Sequence, residues 1–211
     1  MQDVPTDPEN ALTYWIDRLA SCEIGDEEWQ EAVSAIQEFG LVVIPSLIDV
    51  IADERLSVRV GIGNVLADLG PDVVYGLIGA LKHEDPFVRQ HAAQLLYGSA
   101  TREEPLVTDA VPALIEALKD SDCLVRQWAV VALERIGPQA EEAVGGLVEV
   151  LDDPDHEVRR WAAVALGNIG QAARSAIPAL TKLLLDDVSD VREAASQSMD
   201  RIQGTEEPPP I

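Results

Sequence analysis

Lysine is almost missing from this chain of 211 residues. Lys82, Lys119 and Lys182 are the lysines among 15 basic side chains, which face 38 acidic ones for a formal net charge of -23. Binding to DNA, RNA or an anionic membrane depends on Lys and Arg displacing counterions, so a surface this acidic repels all three. A basic or neutral protein partner fits better; adaptation to a saline setting, or genome bias, is the competing account of the composition. Cysteine is scarce too. Cys22 and Cys123 stand far apart, which suggests reduced thiols more than a disulfide framework. Also missing is any apolar run long enough for a membrane span, and the opening MQDVPTDPEN is polar and acidic, unlike a signal peptide, so the cytoplasm is the expected location. No Gly-rich phosphate loop, nucleophile elbow or Cys-x-x-Cys occurs. Neither catalytic residues nor a cofactor are therefore expected.

What the chain has in plenty is repetition. DPDHEVRRWAAVALGNIG at 153–170 restates DSDCLVRQWAVVALERIG at 120–137, 33 residues earlier. A Val-Arg pair marks each copy: Val58-Arg59, Val88-Arg89, Val125-Arg126, Val158-Arg159 and Val191-Arg192, at intervals of 30, 37, 33 and 33. A period of this size means stacked supersecondary units. Counted from the Val, positions 0, +4, +7, +8 and +11 are apolar or small, as in Val158, Ala162, Ala165, Leu166 and Ile169. These offsets gather on one side of a helix and form a buried stripe. The last copy dilutes the stripe to Val191, Ala195, Ser198, Met199 and Ile202, as a capping unit would.

A first helix precedes each marked one. Thirteen residues before each Val come Pro45, Tyr75, Pro112, Gly145 and Pro178, and two residues further on Leu47, Leu77, Leu114, Leu147 and Leu180. Proline early in a helix either occupies the first turn or kinks a helix that began earlier. Gly70, Gly137 and Gly170 suit C-terminal caps, and Asp85, Asp122 and Asp155, three before their Val, suit N-caps. The expected organisation is one domain over 1–203: a degenerate capping repeat at 11–40, with Trp29 where the Arg would stand, then repeats 41–70, 71–110, 111–143, 144–176 and 177–203. A longer loop is expected around 100–109 and a disordered tail at 204–211. His83, His91 and His156 are the histidines, and the distance between His156 and the others, about two helix-pair spacings, excludes one shared metal ion.

Six residues before each marker Arg stands Asp53, His83, Asp120, Asp153 or Asp186. A charge-assisted hydrogen bond from Arg59, Arg89, Arg126, Arg159 or Arg192 to such an Asp, within a repeat or to its neighbour, is geometrically natural. The Asp and Arg six apart, the early Pro and the VRxxAAxALGxIG run resemble the short HEAT-like repeats named after the phycobilisome lyases. That resemblance implies an all-α, α-α superhelix (solenoid) of about six helical hairpins, with the Asp-Arg ladder structural. It further implies second helices along a concave side, where partners lie.

Function is then sought in what the repeat leaves free. Three residues after each Val come Gly61, His91, Trp128, Trp161 and Ala194. Trp128 and Trp161 are expected as neighbours across adjacent repeats, either packed between them or exposed as an interface anchor. Around them on the face away from the core stand Gln90, Gln94, Tyr97, Gln127, Glu134, Arg135, Arg160 and Asn168. The leading expectation is a monomeric or weakly oligomeric, non-catalytic scaffold that binds a partner protein on this face. The alternative is a phycobilin lyase or chromophore-handling subunit.

Overall fold

The computed structural model describes residues 5–69, 73–99 and 105–204. Gly70, the first part of the expected long loop and all but the first residue of the expected tail lie outside the described residues. Those that are described form α-helices linked by turns, with no strand among them. The helices are α1 (Pro8–Ser21), α2 (Glu27–Gln37), α3 (Ile44–Asp49), α4 (Leu56–Asp68), α5 (Val73–Ala80), α6 (Pro86–Ser99), α7 (Val111–Ala117), α8 (Cys123–Ile136), α9 (Val144–Glu149), α10 (His156–Ile169), α11 (Ile177–Leu183) and α12 (Ser189–Gln203). No single helix among the described residues is long and apolar enough to cross a membrane.

From α3 onward short first helices and long second helices alternate, and their caps follow from the repeated residues. Pro45, Pro112 and Pro178 sit in the first turns of α3, α7 and α11, where a missing N–H leaves nothing unpaired. A 3-10 turn leads into each of these helices and into α9: Gly40–Val43, Pro105–Ala110, Gly137–Ala143 and Gly170–Ala176. The expected loop around 100–109 is thus in part ordered helical turn. Asp122 and Asp155 accept hydrogen bonds from the first backbone N–H groups of α8 and α10. Asp85 does the same for Phe87. Replacing Asp155 by Ala leaves those donors unpaired and is expected to cost about 1 kcal/mol, read as a lowered urea midpoint with unchanged slope. At the other ends, Gly137 and Gly170 have φ of +67° and +75° with ψ near -130°, a combination open only to glycine.

The chain divides into two compact units, Met1–Leu95 and Leu96–Ile211. In the first, Leu47 and Leu77 from the short helices and Val58, Ile62 and Val65 from α4 are fully buried. Trp29, standing in α2 where later repeats carry Arg, is buried and donates its indole N–H to the Ser57 carbonyl at 3.1 Å. It ties one repeat to the next without charge. In the second unit Leu114, Leu147 and Leu180 are fully buried beside the stripes of α8 and α10. The diluted stripe of α12 keeps Val191, Ala195 and Ile202 inside, together with the Ser198 hydroxyl-bearing side chain.

The Asp-Arg ladder uses two different acceptors. Within its own repeat each Arg reaches back to backbone, not to the carboxylate. Nη1 of Arg59, Arg89, Arg126, Arg159 and Arg192 donates to the carbonyls of Asp53, His83, Asp120, Asp153 and Asp186 at 2.6–2.9 Å. His83 serves as well as Asp for this bond because only its carbonyl is used. Between repeats, Arg126 grips the Asp153 carboxylate with two parallel bonds of 2.7 and 3.0 Å, and Arg159 grips Asp186 with two of 2.8 and 3.0 Å. Bidentate pairs of this kind are the strong form of the interaction. Asp53 is held instead by Arg55 of its own turn, at 2.8 Å. Where that Asp would meet an Arg of the preceding repeat, Trp29 stands.

Candidate functional site

With Val, Ala and Leu turned inward, the second helices of the unit 96–211 leave a regular outer face. The +2 positions carry Gln127, Arg160 and Glu193, the +3 positions Trp128, Trp161 and Ala194, and the +10 positions Arg135, Asn168 and Arg201. Trp128, Trp161, Gln127, Arg160 and Asn168 are all half-buried, whereas Arg135 is exposed.

The two indoles do not stack as neighbours. Among the described residues the aromatic ring that Trp128 meets is Tyr97 of α6, with centroids 5.9 Å apart and planes tilted by 53°. Trp161 instead lies beneath the guanidinium of Arg160, 4.3 Å from its ring centre. The reason is spacing. Equivalent side chains on stacked helices start about 8–10 Å apart, so each indole settles on the nearer partner. Arg135 in turn covers the other aromatic, its guanidinium 5.2 Å from the Tyr97 centroid. The outcome is two aromatic-cation clusters, Tyr97 with Trp128 and Arg135, and Trp161 with Arg160. Glu157 holds Arg160 in place through bonds of 3.1 and 2.7 Å. Stacked cations of this sort keep a flat apolar ring ordered while leaving one side to solvent.

The remaining expected residues fall elsewhere. Gln90, His91 and Gln94 stand on the part of α6 that belongs to the unit 1–95. There a ring nitrogen of His91 is 2.8 Å from the Phe87 carbonyl one turn back, which is a local helix contact.

A polar chain also crosses this face that residue spacing alone did not bring together. Arg201 of α12 donates to the Asn168 Oδ1 at 2.9 Å, and the Asn168 amide donates to Glu134 Oε1 at 2.6 Å. Three second helices are thus linked side by side. Burial pushes the Glu134 carboxyl above its ordinary range, opposed by Arg135, the Asn168 amide and Arg201. Arg201 could have been found by extending the +10 position into the last repeat. Beside Glu134 opens a pocket of about 830 Å³, lined by Glu134, Arg135, Gly137, Pro138, Gln139 and Asn168. It lies at the place where Gly137 turns α8 into the 3-10 segment. Among the described residues no group of three His, Cys, Asp or Glu side chains could hold a metal ion.

Residues 111–200 match the family model for HEAT repeats. These residues are HEAT repeats. The fold is all-α, of the helical-repeat solenoid class, and solved structures similar to it are of that type. An engineered protein is 25% identical over 95% of both chains, with a TM-score of 0.61. A designed armadillo repeat protein in complex with the peptide (KR)4 is 20% identical, covering 92% of each chain, with a TM-score of 0.62. The complex of CpcE and CpcF of phycocyanin lyase from Nostoc sp. PCC7120 is 20% identical over 75% of this chain and 99% of that one, with a TM-score of 0.63. The last two likenesses concern fold alone. No curated protein matches the chain. The Asp-Arg rungs, the short first helices and the glycine caps recur from repeat to repeat, whereas the position of the two tryptophans is filled by Gly61, His91 and Ala194 in the other repeats.

Proposed function

We propose that this protein is a non-catalytic scaffold that binds a segment of a partner protein on the second-helix face of residues 96–203. The observation that carries the reading is the pair of half-buried tryptophans, Trp128 braced by the Tyr97 ring and Trp161 by the Arg160 guanidinium. Inward-facing positions of the repeat are already filled by Val, Ala and Leu, so the indoles are not needed to complete the core. Ala194 occupies the same position in the last repeat and α12 still packs. Large, rigid aromatics that leave one side open are the residues that dominate interface energies. Two neighbours of the same fold support the reading: one is a complex with a peptide and the other a complex of two protein chains. The formal charge of -23 favours a basic partner.

Selection of extended peptides from a random display library against the full chain tests this. Peptides enriched on the wild type are expected to lose about tenfold or more in affinity for Trp128→Ala, a change of about 1.4 kcal/mol, while far-UV circular dichroism stays unchanged. Undiminished binding by Trp128→Ala and by Trp161→Ala would refute the proposed face. A second reading, handling of a linear tetrapyrrole, is favoured by the likeness to CpcE and CpcF and by the open Trp161-Arg160 cluster. It predicts an absorbance change when a bilin is added to the protein. An unchanged spectrum removes it.

A further inference from the structure

The pocket at the end of α8 gives the proposed face a chemical preference. We propose that it receives a lysine or arginine side chain of the bound segment, with the Glu134 carboxylate as counter-charge; this rests on the second-helix face being the binding surface.

Several features select a cation. The Glu134 carboxylate is half-buried at the pocket wall, and Asn168 holds its Oε1 at 2.6 Å, which orients the group. A carboxylate withdrawn from water gains most from a paired cation. The wall beside it is the carbonyl end of α8, which carries partial negative charge. Pro138 stands four residues after Glu134 and has no N–H, so the Glu134 carbonyl cannot receive the usual i+4 helical bond. The cations already nearby are engaged: Arg135 covers Tyr97 at 5.2 Å, and Arg201 donates to Asn168 at 2.9 Å. An acidic side chain entering here would meet both the Glu134 charge and the helix end. A neutral one would add no counter-charge to the partial compensation that Arg135, the Asn168 amide and Arg201 already give Glu134.

Register adds a further argument. Glu134 holds, relative to Trp161, the repeat position that Tyr97 holds relative to Trp128. By repeat position, then, an acid takes on one level of the face the place that an aromatic takes on the level before. An acid on a face that also carries indoles suits the charged tip and methylene stem of Lys or Arg together. At about 830 Å³ the pocket has room for such a side chain.

The test is fluorescence anisotropy of a labelled (KR)4 peptide with the full chain at physiological ionic strength, about 0.15 M. Glu134→Gln keeps an acceptor for Asn168 and removes the charge. It is expected to weaken binding about tenfold, near 1.4 kcal/mol. Glu116→Gln, at an exposed position of α7, removes the same charge elsewhere and is expected to change affinity by less than about twofold. Equal losses in the two variants would mean that bulk charge alone attracts the peptide, and would overturn the pocket. So would failure of the wild type to bind (KR)4 while display-selected peptides still depend on Trp128; the binding face would then stand and its basic pocket fall. If Trp128 dependence is absent as well, both readings fall together.

Discussion

Arg159→Ala is expected to destabilise the unit 96–211 by about 3–5 kcal/mol, the largest loss from any single side chain in the ladder. The variant removes both bonds to Asp186 and the bonds to the Asp153 and Pro154 carbonyls. It leaves the Asp186 carboxylate, only 9% exposed, without its cation. Arg192→Ala supplies the control, because Arg192 makes the same two carbonyl bonds, to Asp186 and Asp187, and among the described residues no carboxylate bond. Its cost should stay near 1–2 kcal/mol. The difference between the variants isolates the inter-repeat pair. Hydrogen exchange followed across urea is the measurement, since each repeat touches only its neighbours and α11 with α12 can open before the rest.

Acid sharpens the same prediction. The Arg159 guanidinium beside Asp186 holds its carboxyl down at about 2, below the ordinary 3.8. A depressed carboxylate contributes stability that is present above its unfolded pKa and is lost as pH falls through the folded one. In the wild type that contribution, about 2 kcal/mol, fades between about pH 4 and pH 2. Without Arg159 the first cause of that depression is gone, so the variant lacks most of the contribution that the wild type gains as pH rises. The gap between wild type and Arg159→Ala should therefore widen from pH 3 to pH 7. A gap that is flat with pH would mean that the pair contributes through packing alone.

The ladder shows how unevenly the molecule could be read from its residues. The helices, their caps and the buried stripe were legible because each rests on a short-range rule that recurs along the chain: a Pro in a first turn, an Asp three before a Val and a Gly after the last turn, each in three of the five marked copies. Spacing also located the charged partners, but it could not say that an Arg binds the carbonyl of its own repeat and the carboxylate of the next. Both acceptors belong to the same Asp type, and only packing separates them. The tryptophans were harder. Their equivalent positions implied adjacency, yet one helix spacing is too wide for indoles to stack, and Trp128 found Tyr97 while Trp161 found Arg160. The Glu134 pocket was invisible for another reason. Its lining joins the end of α8 and the Gly137-Pro138 turn to Asn168 of the next repeat, and Gly137 is a capping residue in the repeat that carries no sign of a cavity.

Gly167→Val is expected to cost about 2–3 kcal/mol, at the upper end of what overpacking does, and Gly167→Ala about 1–2 kcal/mol in spite of alanine's better helix propensity, near 1 kcal/mol. Gly167 lies on α10 directly against Ser198 of α12. A Cβ built there would stand 2.7 Å from Ser198 Oγ, 2.9 Å from its Cβ and 3.0 Å from its backbone Cα. A flexible side chain could turn aside, but backbone cannot, so the helices must separate. Gly63→Ala in α4 provides the contrast: its new methyl would meet only Leu95 Cδ2, at 4.0 Å, and the variant should gain stability, by up to about 1 kcal/mol. Thermal unfolding of the three variants checks the signs. Adding Ser198→Gly to Gly167→Ala should recover part of the loss, because it removes two of the three close atoms. The functional consequence follows from the Arg201-Asn168-Glu134 chain, which spans the same two helices and α8. Pushing α12 off α10 draws Arg201 away from Asn168, and Gly167→Val should therefore weaken (KR)4 binding at Glu134 even at temperatures where the variant remains folded.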